Sequence, residues 1–98
     1  MPRDYKVYLE DILEAIAKVS RYTSGVSQEA FAGDEMRVDA VLRNLEVIGE
    51  AAKHLPDILK CRYPDTEWKK IAGLRDILIH EYFGIDAVSY THLRAHET

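Results

Sequence analysis

The chain has one cysteine, three prolines and five glycines, and each scarcity removes a class of protein. A single thiol, Cys61, closes no internal disulfide and lacks the Cys or His companions of a metal motif. Few prolines and glycines leave long stretches with nothing to interrupt a helix. No apolar run approaches the roughly 18 residues that span a membrane. The N-terminus lacks the charged, apolar and small-residue order of a signal peptide. A cytoplasmic protein with no membrane association is therefore expected. Strand-like alternation, repeats and low-complexity tracts are missing. So are a glycine-rich phosphate loop, a Ser-His-Asp arrangement and a Cys-His cluster.

What is present is a small, acidic, helical chain. Its 98 residues suit one domain, close to the size at which a second copy helps to complete a core. The net charge of −4 argues against broad, nonspecific nucleic-acid binding, so any such binding must be local. One stretch qualifies. Lys60, Arg62, Lys69, Lys70 and Arg75 stand there against only Asp65 and Glu67. A solvated helix face explains the same pattern equally well.

Taken in order, residues 4–22 read as a helix capped by Asp4. Tyr5, Tyr8, Leu9, Ile12, Ile16 and Val19 form its apolar stripe, and Gly25 follows its end. A helical turn at 28–32 carries Ser27 as cap and Phe31 as anchor. After Gly33, Asp34 caps the longest helix, roughly 35–55. Val38, Val41, Leu42, Leu45, Ile48, Ala52 and Leu55 line one of its faces. Gly49 and the pair Ala51-Ala52 allow another helix to come close. Pro56 opens a brief segment that Tyr63-Pro64 closes. Asp65 or Thr66 caps a last helix, which starts at Trp68, kinks at Gly73 and ends at Gly84. From Leu74 to Tyr82 that helix is apolar nearly all round, so it should be the most buried. The reading is all-α: an antiparallel bundle of three long helices with short helical connectors. Residues 1–88 form the domain. Residues 89–98 lack an apolar stripe and read as a foreign or truncated terminus, so His92 and His96 carry no functional weight.

The apolar final helix nevertheless holds Arg75, Asp76, His80 and Tyr82. Histidine takes and gives protons near neutral pH, and the arginine fork suits phosphate oxygens. Together they suit cleavage of an RNA phosphodiester without a metal. His80 would move a proton at the 2′-hydroxyl or the leaving 5′-oxygen, and Arg75 would stabilise the phosphate. At about 100° per residue, Tyr82 returns to within about 20° of Arg75, whereas Arg75 and His80 lie about 140° apart. A straight helix does not aim that pair at one point, but a twofold dimer can. Asp76 either orients His80 or pairs with Arg75 or Lys69. A surface ion pair and a histidine at a helix end remain the plain structural alternative. Glu46, Glu50 and His54 recur along one helix face. A metal site there would need ligands from a second helix, so solvent or the neighbours Arg43 and Lys53 suit the glutamates better.

The run Arg75-Asp76-Ile77-Leu78-Ile79-His80-Glu81-Tyr82 resembles the hallmark of the HepT-like branch of the HEPN domains. Arg43-Asn44-Leu45-Glu46-Val47-Ile48-Gly49-Glu50-Ala51 resembles that branch's long-helix signature. Pro64-Asp65-Thr66-Glu67-Trp68, leading into Ile71-Ala72-Gly73-Leu74, resembles its approach to the motif. The resemblance covers residues 4–86. It implies a type VII-like toxin: a metal-independent RNA endonuclease with no cofactor, whose catalytic Arg75 and His80 meet at a homodimer cleft. It also implies a cognate MntA-like nucleotidyltransferase antitoxin that attaches AMP to Tyr82. A noncatalytic helical partner that presents substrate to a nucleotidyltransferase is the alternative. Metal-free RNA cleavage dependent on Arg75 separates the two.

Overall fold

The computed structural model describes residues 4–83, with the side chains of Tyr82 and Phe83 outside that description. The expected helix end at Gly84 and the tail 89–98 lie outside the described residues. Six helices follow one another: α1 (Tyr5–Thr23), α2 (Gln28–Gly33), α3 (Glu35–Lys53), α4 (Asp57–Cys61), α5 (Trp68–Ala72) and α6 (Leu74–Phe83). Among the described residues there is no strand.

Short side chains set the helix starts. The Asp4 carboxylate accepts from the Lys6 N–H at 3.0 Å, Ser27 Oγ from Ala30 at 3.1 Å, and Asp34 Oδ1 from Arg37 at 3.1 Å. Each satisfies an N–H that has no partner inside its own helix. Gly25, at φ 70°, makes the left-handed turn after α1. The start of α5 departs from expectation. Glu67, rather than Asp65 or Thr66, occupies the cap position and makes no side-chain cap bond. Backbone does the work instead. Thr66 N–H donates to Tyr63 O at 3.1 Å and Trp68 N–H to Thr66 O at 3.0 Å, winding the chain into a tight turn. The expected kink at Gly73 is a full break, with α5 ending at Ala72 and α6 starting at Leu74.

Contacts at both ends give the helix directions. The Tyr8 ring at the start of α1 stacks on His54 at the end of α3, with centroids 4.9 Å apart. Arg37, at the start of α3, donates from Nη1 to Tyr22 O at the end of α1 over 2.6 Å. The two helices are therefore antiparallel. Gly49 of α3 abuts Ala72, while Ile79 joins Val38, Val41 and Leu42 in the core, so α5 and α6 also run against α3. The core is Phe31, Val38, Val41, Leu42 and Ile79, with Val19, Tyr22, Val26, Leu45 and Leu78 packed on it.

Two burial expectations are corrected. The most buried helix is α3, which packs against α1, α2, α5 and α6. In α6, Ile79 is wholly buried but Ile77 is 38% exposed. On α1 the inward line is Tyr8, Ile12, Ala15, Val19 and Tyr22, with Ala15 buried, while Tyr5 and Ile16 are exposed. The small Ala15 side chain lets α1 lie close to α3, and this turns Leu13 and Ile16 outward.

Candidate active site

A polar groove forms where α3 meets the junction of α5 and α6. On α3, Lys53, Glu46 and Glu50 lie about 40°, 60° and 100° from Gly49, all on the same flank. A Cβ at Gly49 would sit 2.5 Å from Ala72 O, so the absent side chain permits a backbone-to-backbone approach. Beside that contact opens a groove of about 340 Å³ lined by Glu46, Glu50, Lys53, Ala72, Gly73, Arg75 and Asp76. Arg75 leaves the chain three residues after α5 ends, in the first turn of α6, and lines this space.

Within the groove, Arg75 Nη1 donates to Asp76 Oδ1 at 3.2 Å, and the Arg75 side chain remains only 27% exposed. Of the three partners left open for Asp76, namely His80, Arg75 and Lys69, the carboxylate meets Arg75. Glu46 pairs with Arg43 at 3.8 Å and Glu50 with Lys53 at 3.3 Å, as the sequence suggests. These are exposed pairs in high dielectric, so an incoming anion can compete for their cations. Among the described residues no group of three or more His, Cys, Asp or Glu is placed to hold a metal. The His54 ring is engaged with Tyr8 rather than joined with Glu50 in such a group.

His80 is exposed and does not line the groove. The wholly buried Ile79 gives the inward direction of α6. From it, Arg75 lies about 40° to one side, while Asp76 and His80 lie about 60° and 100° to the other. One chain therefore presents the guanidinium and the imidazole on opposite flanks of a single helix. Tyr82 belongs to α6 by its backbone, about 60° from Ile79 on the Arg75 flank. Its side chain lies outside the description.

The sequence reading did not foresee that Glu46, Glu50 and Lys53 share a groove with Arg75. The usable signal was Gly49 itself. A glycine that admits a neighbouring backbone brings the charged residues on its flank to the edge of that contact.

Residues 12–91 match the family described as Ribonuclease HepT-like. A "Probable ribonuclease HepT" of Thermococcus cleftensis is 45% identical over 86 residues, covering 88% of this chain and 78% of the relative. A "Putative RNase" of Methanocaldococcus jannaschii is 42% identical over 86 residues, covering 88% of this chain and 79% of the relative. No solved structure matches the chain significantly. Among the described residues, no helix is long and apolar enough to cross a membrane.

Proposed function

The chain belongs to the HepT-like ribonuclease family, and we propose that it is a metal-independent RNA endonuclease whose Arg75 and His80 meet across a homodimer seam. The observation that carries this reading is the split on α6. A family ribonuclease presents its groove-lining cation and its exposed imidazole on opposite flanks of one helix. Two copies related by a twofold axis bring the Arg75 flank of one to the His80 flank of the other.

The chemistry follows from the groups. A neutral His80 takes the proton of a ribose 2′-hydroxyl, whose oxygen attacks the adjacent phosphorus. The bond to the 5′-oxygen breaks, and a protonated His80 returns a proton to that leaving group. The products are a 2′,3′-cyclic phosphate and a 5′-hydroxyl. Arg75 stabilises the charge that builds on the phosphate oxygens. Asp76 is a positioning residue that holds the guanidinium at 3.2 Å.

The same reading makes the protein a toxin restrained by a cognate nucleotidyltransferase. Transfer of AMP to the Tyr82 hydroxyl, with release of pyrophosphate from ATP, would put bulk and negative charge on the Arg75 flank. That flank is where substrate phosphate must bind. The test is cleavage of total cellular RNA in EDTA, comparing wild type with His80→Ala. Cleavage by wild type alone is expected. An intact substrate under both would refute the enzymatic reading and leave the noncatalytic partner in its place.

A further inference from the structure

The basic stretch between α4 and α6 is not explained by the fold. From Lys60 to Arg75 the chain carries a net +3, although the whole chain carries −4. Elsewhere the structure pairs many of its cations: Lys18 with Glu14, Arg37 with Asp34, Arg43 with Glu46 and Lys53 with Glu50. Arg21 lies over the Tyr22 ring. Among the described residues, Lys60, Arg62 and Lys69 make no ion pair. Lys70 has only Glu67, at 3.2 Å with both side chains 68% exposed. Such an exposed pair contributes little and yields readily to a competing anion.

This segment is also tied together by its own hydrogen bonds and leads in sequence to the groove. The turn from Tyr63 to Trp68 is wound by its backbone bonds and by Trp68 Nε1, which donates to Tyr63 O at 3.3 Å. That turn joins the end of α4, with Lys60 and Arg62, to the first turn of α5, with Lys69 and Lys70. At its head Tyr63 is 57% exposed. Close packing of Ala72 on Gly49 then fixes α5 against α3. Lys69 on α5 and Arg75 on α6 lie on either side of the Gly73 break.

We infer that the α4–α5 segment is a docking platform for single-stranded RNA. Lys60, Arg62, Lys69 and Lys70 take its phosphates, Tyr63 stacks on a base, and the strand is led to Arg75. Unpaired or weakly paired cations interleaved with an exposed aromatic are a means by which proteins track a single strand without reading its sequence. The platform rests on the proposed RNA cleavage only for its purpose, since binding can be measured without cleavage.

The test uses a short single-stranded RNA that is 2′-O-methylated throughout and so lacks the attacking hydroxyl. Its affinity for wild type and variants is measured by fluorescence anisotropy across a range of sodium chloride. Each phosphate contact contributes about 0.7 to the slope of log affinity against log salt for a single strand, so Lys69→Gln/Lys70→Gln should reduce it by about 1.4. Tyr63→Leu should weaken binding about ten-fold, which an acidic polypeptide in place of RNA would not reproduce. Lys6→Gln/Lys18→Gln on α1 should leave the slope unchanged. An unaltered slope in the α5 variant, or an equal loss in the α1 variant, would overturn the platform. A protein that binds this way yet leaves ordinary RNA intact would refute the nuclease and keep the platform. One that cuts RNA while its α5 variant binds like wild type would do the reverse.

Discussion

Two grooves of similar size among the described residues have opposite character. One, of about 340 Å³, lies between α3 and the α5–α6 junction and is lined by Glu46, Glu50, Lys53, Arg75 and Asp76. The other, of about 400 Å³, lies among α1, α2, α3 and α6 and is lined largely by Val19, Val26, Phe31, Val41, Leu45 and Leu78. Both are walled by α3 and α6, and the flanks of those helices decide the difference. Leu78 and Arg75 are neighbours on α6, but one continues the core surface and the other ends in a cation. Volume therefore says little about where chemistry occurs; the lining does. Substitutions in the polar groove should change rate without changing the fold, and those in the apolar region should do the opposite.

The largest effect is expected at Arg75. Arg75→Ala should cut RNA cleavage about 100- to 1000-fold, the usual consequence of losing one charge-stabilising donor in an active site. The helical circular dichroism should be unchanged. A loss of helicity instead would place Arg75 with the structural residues. Next comes the core beneath the apolar groove. Ile79 is wholly buried, so Ile79→Ala should cost about 2–5 kcal/mol in chemical denaturation. Cleavage per folded molecule should stay near wild type.

Gly49 breaks the division, because it lies beside the polar groove, against Ala72 of its wall, but acts through packing. A Cβ there meets Ala72 O, which is backbone and yields only if α5 moves. Gly49→Ala should cost about 1–3 kcal/mol by overpacking. It should also lower activity, because α5 sets where Arg75 begins. The smallest effect concerns pH. Hydrogen bonds from Arg37, first from its backbone N–H and then from its side chain, hold the Asp34 carboxylate below its ordinary value of 3.8. A lowered folded value means the unfolded chain takes the proton first. The stabilisation is thus complete above the ordinary value and is lost as pH falls through the lower one. The thermal midpoint should fall with acidification below pH 3.8, and Asp34→Asn, which keeps a capping side chain, should flatten part of that fall.

Legibility in the sequence followed the range of the interaction. The caps at Asp4, Ser27 and Asp34 could be read because each acts within three residues of itself. The all-α class, the interruption at Gly73 and the family motif were equally local. The inward line of α1 was legible at Tyr8, Ile12 and Val19 but not at Ala15, because a large side chain advertises burial and an alanine does not. The burial of α6 was overestimated because apolar content does not say how many neighbours a helix has. Gly49 signalled a close approach, yet nothing local named Ala72 as its partner, so the polar groove stayed hidden. The separation of Arg75 from His80 was visible in the helical period, and the groove lining agrees with it.

That separation makes one measurement decisive for the account. Arg75→Ala and His80→Ala, each inactive alone, are to be mixed under conditions that exchange subunits, and RNA cleavage is followed. If each site takes Arg75 from one copy and His80 from the other, a mixed dimer keeps one intact site, and random exchange should restore about a quarter of wild-type activity. If the mixture forms dimers and remains as inactive as its parents, Arg75 and His80 do not act together across the seam, and the account is wrong.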